Sequence, residues 1–118
     1  MNKRQTGAFY EDAVCDFLRK RGIRILSRNF RCYLGELDII GMDGEILVFF
    51  EVKYRKTIQY GMPQEAVNLK KQKIICRCAA FYCCHYANNR NIRYDVVAVL
   101  GTEINWIQDA FPHIGYSF

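Results

Sequence analysis

The sequence predicts an α/β fold in which a mixed β-sheet is flanked by helices. Three observations lead to this prediction: an amphipathic helical segment opens the chain, two apolar segments flank an Asp-Gly pair, and a second helical segment precedes two further strand-like segments. With 118 residues, 51% of them hydrophobic, the chain can bury a core of its own. We therefore expect a single domain over residues 1–118.

Two helical regions are predicted. The first begins after Thr6, a typical N-cap residue, and ends before Gly22, and its apolar residues recur every three or four positions. The second lies between residues 64 and 86, because Pro63 suits the first position of a helix. Asn68 is a point at which this second region can divide into two helices.

Five strands are predicted, over residues 23–32, 35–41, 45–54, 92–100 and 103–108. Asp43 and Gly44 are the expected central pair of a type I′ turn between the second and third strands, because such a turn requires positive φ at both positions. In that register Asp38 lies opposite Phe49 and diagonal to Glu51. Alternation of side chains then places four charged residues on one face of the hairpin: Glu36, Asp38, Glu51 and Lys53.

Charge and composition restrict the classes of function. The chain carries 17 Lys and Arg against 12 Asp and Glu, a net charge of +5, which favours a polyanionic partner. No apolar segment approaches the roughly 20 residues that span a bilayer, so we expect no membrane association and a cytoplasmic rather than secreted protein. In a reducing compartment the six cysteines are expected to be free thiols. The spacing of the four between residues 76 and 84 suits buried positions on a helix, with a zinc site around residues 76–85 as the alternative.

The charged face of the hairpin has the chemistry of a metal site. Acids close together repel one another unless a cation lies between them, and carboxylate oxygens are suitable ligands for Mg²⁺. We expect Asp38 and Glu51 to hold Mg²⁺ or Mn²⁺, and Lys53 to position an attacking water or neutralise developing charge. On an isolated strand the same Glu-x-Lys spacing is typical of a solvated face, and Glu36 is either a further ligand or the ion-pair partner of a nearby arginine.

A basic surface follows the hairpin. On a helix, Lys70, Lys73 and Arg77 recur on one side. With neighbouring basic residues they make the predicted nucleic-acid-binding set: Arg55, Lys56, Lys70, Lys71, Lys73 and Arg77. Since no residue set resembles a base-reading code, we expect recognition of branched or flapped nucleic acid rather than of sequence. The alternative is an ordinary solvent-exposed helix face.

Together these motifs resemble a known nuclease family. An acid on one strand followed by Glu-x-Lys on the next is similar to the core of the PD-(D/E)XK nuclease superfamily, here Asp38, Glu51 and Lys53. Over nearly its whole length the chain resembles the YraN family, which is similar in turn to archaeal Holliday junction resolvases. The matching segments are residues 7–11, 29–31, 35–38, 50–55, 61–67, 70 and 93–97. The proline that precedes the aspartate in the superfamily motif is replaced by Leu37.

The resemblance implies a restriction-endonuclease-like fold and a metal-dependent endonuclease acting on structured DNA, in recombination or repair. It also implies that Glu11 and the carbonyl of Val52 join Asp38 and Glu51 as metal ligands. The residues alone leave Glu11 open to ion pairing with an arginine instead. A nucleic-acid-binding module without hydrolysis and a protein-interaction domain are the alternatives, and a homodimer stays open because junction-cutting enzymes often act as pairs of chains.

Overall fold

A mixed five-stranded sheet with a helix on each face forms the structure. The computed structural model describes residues 3–55, 67–87 and 91–115, with side chains from Phe9 onward. The described residues form helices α1 (Lys3–Lys20) and α2 (Leu69–Tyr86) and strands β1 (Arg24–Cys32), β2 (Gly35–Asp43), β3 (Ile46–Arg55), β4 (Asn91–Leu100) and β5 (Glu103–Ile107). This order confirms the predicted α/β fold and is consistent with a restriction-endonuclease-like arrangement.

The strands lie in the sheet in chain order, from β1 at one edge to β5 at the other. Three of the four pairings, β1 with β2, β2 with β3 and β4 with β5, are antiparallel. β3 and β4 are parallel, and α2 lies between them in the chain. Parallel neighbours need a long crossover connection, so the helix at this point makes the sheet mixed.

Each helix covers one face of the sheet. Leu18 of α1 packs in a buried layer with Phe50, whereas Ile75 of α2 packs in a second layer with Phe49. Phe49 and Phe50 are neighbours on β3 and point to opposite faces, as the pleat of a strand requires. β3 is therefore apolar over most of its length because both of its faces are covered.

The end of α1 follows the prediction and its start does not. Gly22 has a φ of +91°, and the N–H of Ile23 donates to the carbonyl of Leu18 at 3.1 Å, which is the pattern of a Schellman cap. The helix begins at Lys3, so Thr6 lies inside it and the predicted N-cap is wrong. The residues before Thr6 include good helix formers, and the helix continues through them.

Asn68 marks the start of α2 rather than a break within a longer helix. Its Oδ1 accepts a hydrogen bond from the N–H of Lys71 at 2.9 Å, as an N-cap does. The predicted helical start at residues 63–66 lies outside the described residues. Three of the four cysteines of α2 are buried, as their spacing predicted, namely Cys76, Cys78 and Cys83, whereas Cys84 is exposed. In the described part of the chain, neither helix is long and apolar enough to cross a bilayer.

The hairpin between β2 and β3 has a different turn from the predicted one. Asp43 pairs with Ile46, so Gly44 and Glu45 are the two turn residues and the predicted register is wrong. Gly44 has a φ of +61° while Glu45 keeps a negative φ, which fits a type II′ turn with glycine at its first central position. The partner of each β2 residue moves by two positions on β3, and a shift of two residues leaves each side chain on its face.

Candidate active site

β2 and β3 separate at the acidic residues. Their pairing ends with Ile39 opposite Phe50, and Asp38 and Glu51 follow on the two separating strands. The N–H of Val52 donates to Oδ2 of Asp38 at 2.8 Å. A buried N–H needs an acceptor, so the carboxylate of Asp38 replaces a strand carbonyl and is held in place at this fork.

Regular side-chain alternation is interrupted at Asp38. Leu37 packs in the layer of α2, whereas Ile39 packs in the layer of α1, although residues two apart on a regular strand share a face. The prediction that Glu36 shares the face of Asp38 and Glu51 assumed regular alternation along β2, and this alternation is broken between them. The carboxylate of Glu36 lies 3.6 Å from Nε of an arginine on β1, Arg31, so the ion-pair alternative describes it.

Asp38 and Glu51 lie close enough for each to shift the pKa of the other. Burial, followed by the negative charge of Asp38, raises the pKa of Glu51 to about 7, and Lys71 and Lys53 oppose that rise. Burial also raises the pKa of Asp38, although the hydrogen bond from Val52 opposes the rise. Two carboxyl groups this close repel each other when both are ionised, so the pair keeps a proton to a higher pH than an isolated carboxyl group does.

Two lysines flank the same oxygen of Glu51. Nζ of Lys53 lies 3.9 Å from Oε1, and Nζ of Lys71 lies 3.8 Å from it. Lys53 comes from β3, as the Glu-x-Lys spacing predicted. Lys71 was predicted on the nucleic-acid-binding surface, but its ammonium group is turned toward Glu51. The helical spacing of the sequence indicates this orientation, because Lys71 precedes the buried residues Ile75 and Cys78 by four and seven positions and so shares their helix face.

Glu11 of α1 belongs to the same electrostatic environment. Burial, followed by the charge of Asp38, raises the pKa of Glu11, and Arg28 opposes the rise. Oε1 of Glu11 is buried and accepts no hydrogen bond from the described residues, with Nε of Arg28 at 3.6 Å. Arg28 makes its shorter contact, 2.6 Å, with Asp12. One oxygen of Glu11 is thus left with hydrogen-bonding capacity that a ligand could use.

The carboxylates fit a small divalent cation that takes few protein ligands. Asp38 and Glu51 offer hard oxygen atoms, and Mg²⁺ commonly takes one or two carboxylates while keeping several waters. Within residues 3–55, 67–87 and 91–115, no three His, Cys, Asp or Glu side chains stand close enough to surround one ion. The fit rests on two carboxylates, and the metal-binding roles predicted for Asp38, Glu51, Glu11 and the carbonyl of Val52 stay predictions.

The described residues of the predicted basic surface lie on α2 and β3, and Lys71 of this set contacts Glu51. Four of its members are exposed: Arg55, Lys70, Lys73 and Arg77. Lys56 lies outside the described residues. Lys73 and Arg77 border a groove of about 660 Å³ that is also lined by aromatic residues, including Tyr33 and Phe81. Cations beside aromatic rings are suited to a nucleic-acid backbone and its bases.

A second buried acid, Asp95, has a structural role. It is fully buried and accepts hydrogen bonds from Arg93 at 2.9 Å, from Nε1 of Trp106 at 2.8 Å and from the N–H of Asp109 at 2.9 Å. Arg93 also donates to Asp43 at 2.9 Å, which ties the hairpin to β4. These donors satisfy the carboxylate of Asp95 within the sheet.

Comparison with known proteins identifies the family of this chain. A sequence model described as "Uncharacterised protein family UPF0102" matches residues 10–99. The chain belongs to the UPF0102 family. The region that defines UPF0102 proteins contains both carboxyl residues of the fork, both flanking lysines and Glu11.

Individual UPF0102 proteins match almost the whole chain. A UPF0102 protein from Caldicellulosiruptor bescii is 43% identical over 94% of this chain and 100% of its own length. One from Lachnoclostridium phytofermentans is 39% identical over 98% of this chain and 99% of its own, and one from Vibrio campbellii is 40% identical over 92% and 93%. These names state no activity, so the function of this UPF0102 chain has to be inferred from its site.

Proposed function

We propose that this UPF0102 protein is a metal-dependent endonuclease of the PD-(D/E)XK superfamily that hydrolyses phosphodiester bonds in structured DNA. The observation that carries the proposal is the carboxyl pair of Asp38 and Glu51 at the fork of two strands, with Nζ of Lys53 at 3.9 Å from Glu51. Branched or flapped DNA in the cytoplasm is the proposed substrate, in recombination or repair, because the exposed basic residues offer backbone contacts without a base-reading pattern.

Asp38 and Glu51 would hold Mg²⁺ or Mn²⁺, with Glu11 and the carbonyl of Val52 as further proposed ligands. When bound, such an ion polarises phosphate oxygens and makes water a better nucleophile. Asp38 is already oriented by the N–H of Val52, so its carboxylate needs little reorganisation when substrate arrives. Glu51 is 6% exposed, and this burial strengthens its attraction to a cation.

Lys53 would act on the reacting phosphate. Its side chain is 33% exposed, so its ammonium group faces both Glu51 and the solvent from which substrate arrives. In that position it can hold the attacking water or stabilise negative charge that develops on the phosphate oxygens. Removal of Lys53 should therefore slow turnover more than it weakens DNA binding.

A nucleic-acid-binding module without hydrolysis is the second candidate. It is favoured because no three ligating side chains of the described residues surround one position. In this case the exposed basic residues would bind the DNA backbone. The carboxyl pair would then serve only to hold the strand fork.

Cleavage of four-way junction and flap DNA by the purified protein, with Mg²⁺ or Mn²⁺, separates the candidates. Asp38→Asn and Lys53→Ala should abolish cleavage, and Glu103→Gln, which changes an exposed acid on β5, should not. Salt-sensitive binding with no cleavage by wild type would favour the binding module. Absence of salt-sensitive binding would leave the protein-interaction alternative.

A further inference from the structure

We propose that Lys71 is a second phosphate-binding residue of this site and holds a non-bridging oxygen of the phosphodiester, while Lys53 acts at the reacting water. This inference rests on the proposed nuclease function and states how that site holds its substrate. It is carried by the placement of two ammonium groups, one from β3 and one from α2, against a single oxygen of Glu51.

Both ammonium groups keep donors for another acceptor. Their distances to Oε1 of Glu51, 3.8 Å for Lys71 and 3.9 Å for Lys53, exceed the roughly 2.7–2.9 Å of a charge-assisted hydrogen bond. A lysine ammonium has three donors, so a long contact with one oxygen leaves most of its capacity unused. The side chain of Lys71 is 38% exposed, and its donors are open to a ligand that arrives from solvent.

The charges at the site favour an anion. A divalent cation between the carboxylates of Asp38 and Glu51 would neutralise both of them. Lys53 and Lys71 would then not be required as counterions, and both positive charges would be available to a phosphate. Two ammonium groups on different structural elements can contact a phosphodiester from two directions, which a single lysine cannot do.

Lys71 extends from a firmly held part of the fold. Its N–H donates to Oδ1 of Asn68 at 2.9 Å, and Nε2 of Gln72 donates to the carbonyl of Val67 at 2.9 Å. One turn later Ile75 is buried against the sheet. The ammonium group is thus placed by a capped and packed helix turn rather than by a loop, as the positioning of a reacting phosphate requires.

A purely structural role for Lys71, as a counterion of Glu51, is the alternative. The two roles predict different measurements. Loss of a counterion changes the stability of the folded protein, whereas loss of a phosphate contact changes both catalysis and the dependence of DNA binding on salt. These quantities can be measured on the same set of variants.

The test compares wild type, Lys71→Ala, Lys71→Arg and Lys20→Ala. Lys20 is exposed at the end of α1 and provides the same loss of charge outside the site. Cleavage of four-way junction DNA is measured with Mg²⁺, and binding to the same DNA is measured at several NaCl concentrations with Ca²⁺ in its place, so that a divalent cation occupies the carboxylates in both measurements. Lys71→Ala should lower kcat/KM by about 100-fold and reduce the salt slope of binding by about 0.9, the value for one phosphate contact. Lys71→Arg should recover part of the activity, and Lys20→Ala should match wild type.

The outcomes separate this inference from the proposed function. Cleavage by Lys71→Ala at the wild-type rate would overturn the inference and leave the nuclease intact. If wild type binds but cleaves no DNA, the nuclease proposal fails, and the phosphate contact of Lys71 is judged by binding alone. A salt slope for Lys71→Ala that is smaller than that of wild type by about 0.9 supports the contact, and an unchanged slope overturns it. Absence of DNA binding by wild type would overturn both. Lys71→Met, which keeps the apolar stem, replaces the alanine variant if that variant does not fold.

Discussion

Replacement of Glu51 by glutamine should change how the stability of the protein depends on pH. Without metal, burial and the charge of Asp38 raise the pKa of Glu51 from 4.5 to about 7. A carboxyl group with a raised pKa binds its proton more tightly in the folded state. Its stabilising effect is therefore complete below about pH 4.5 and is lost as the pH rises through 7. Glutamine does not titrate, so the stability of the Glu51→Gln variant should not fall over this pH range for this reason.

The difference between 4.5 and about 7 sets the size of the effect. One pKa unit corresponds to about 1.4 kcal/mol, so the ionised form of Glu51 lowers the free energy of unfolding by about 3 kcal/mol above pH 7. Solvent screens little of this because Glu51 is almost fully buried. Relative to wild type, Glu51→Gln should gain about 3 kcal/mol between pH 4.5 and pH 8.

Urea unfolding at both pH values in EDTA, followed by the fluorescence of Trp106, measures this difference. Glu103→Gln is the control, because it removes a carboxylate that is exposed. Addition of Mg²⁺ at pH 8 should stabilise wild type and leave Glu51→Gln with a much smaller gain, since a ligand that binds the folded state raises its stability. Equal pH dependence in wild type and Glu51→Gln would refute the buried carboxyl pair.

Three other substitutions test the packing that supports the site. Asp95→Ala should lower the free energy of unfolding by about 3–5 kcal/mol in urea, because it removes the buried partner of Arg93. Gly35→Ala should lower it by about 1–3 kcal/mol, because an added Cβ would lie 2.8 Å from Cγ2 of Ile74. Gly44→Ala should cost about 1 kcal/mol in thermal unfolding, from its φ of +61° alone, since no atom of the described residues lies within 4 Å of the added Cβ.

These three predictions are checked by comparing the losses in free energy of unfolding with one another. If Asp95→Ala were no more destabilising than Gly44→Ala, the hydrogen bonds around Asp95 would not anchor the sheet as described. A Gly35→Ala variant as stable as wild type would show that Ile74 moves away from the start of β2 at no cost.

The order of helices and strands could be read from the sequence because it depends on local periodicity. Apolar residues at helical or alternating spacing report which side of their own element is buried, whatever the element packs against. The hairpin turn was harder, because Gly44 tolerates positive φ in either of two turn types. The choice between these turns depends on how β2 and β3 pair along their length, which the dipeptide alone does not encode.

The proximity of Asp38 and Glu51 was predicted correctly although the register was wrong. An error of two residues keeps every side chain on its face, so the two acids still meet. The interruption of alternation at Asp38 was not predictable from a regular pattern, and it places Leu37 in the layer of α2. Glu36 lies directly opposite Arg31 on β1 and pairs with it, while its charge still contributes to the raised pKa of Asp38.

By itself, the sequence determined which elements form, which of their sides are buried, and that an acid pair with a following lysine lies on one hairpin. Only the tertiary structure decided that burial and Asp38 raise the pKa of Glu51, that an oxygen of Glu11 is buried without a hydrogen bond from the described residues, and that Lys71 faces the site. The reason is that pKa values and ion-pair distances depend on atoms from separate elements, and the rotation of α2 against the sheet is set by packing over its whole length.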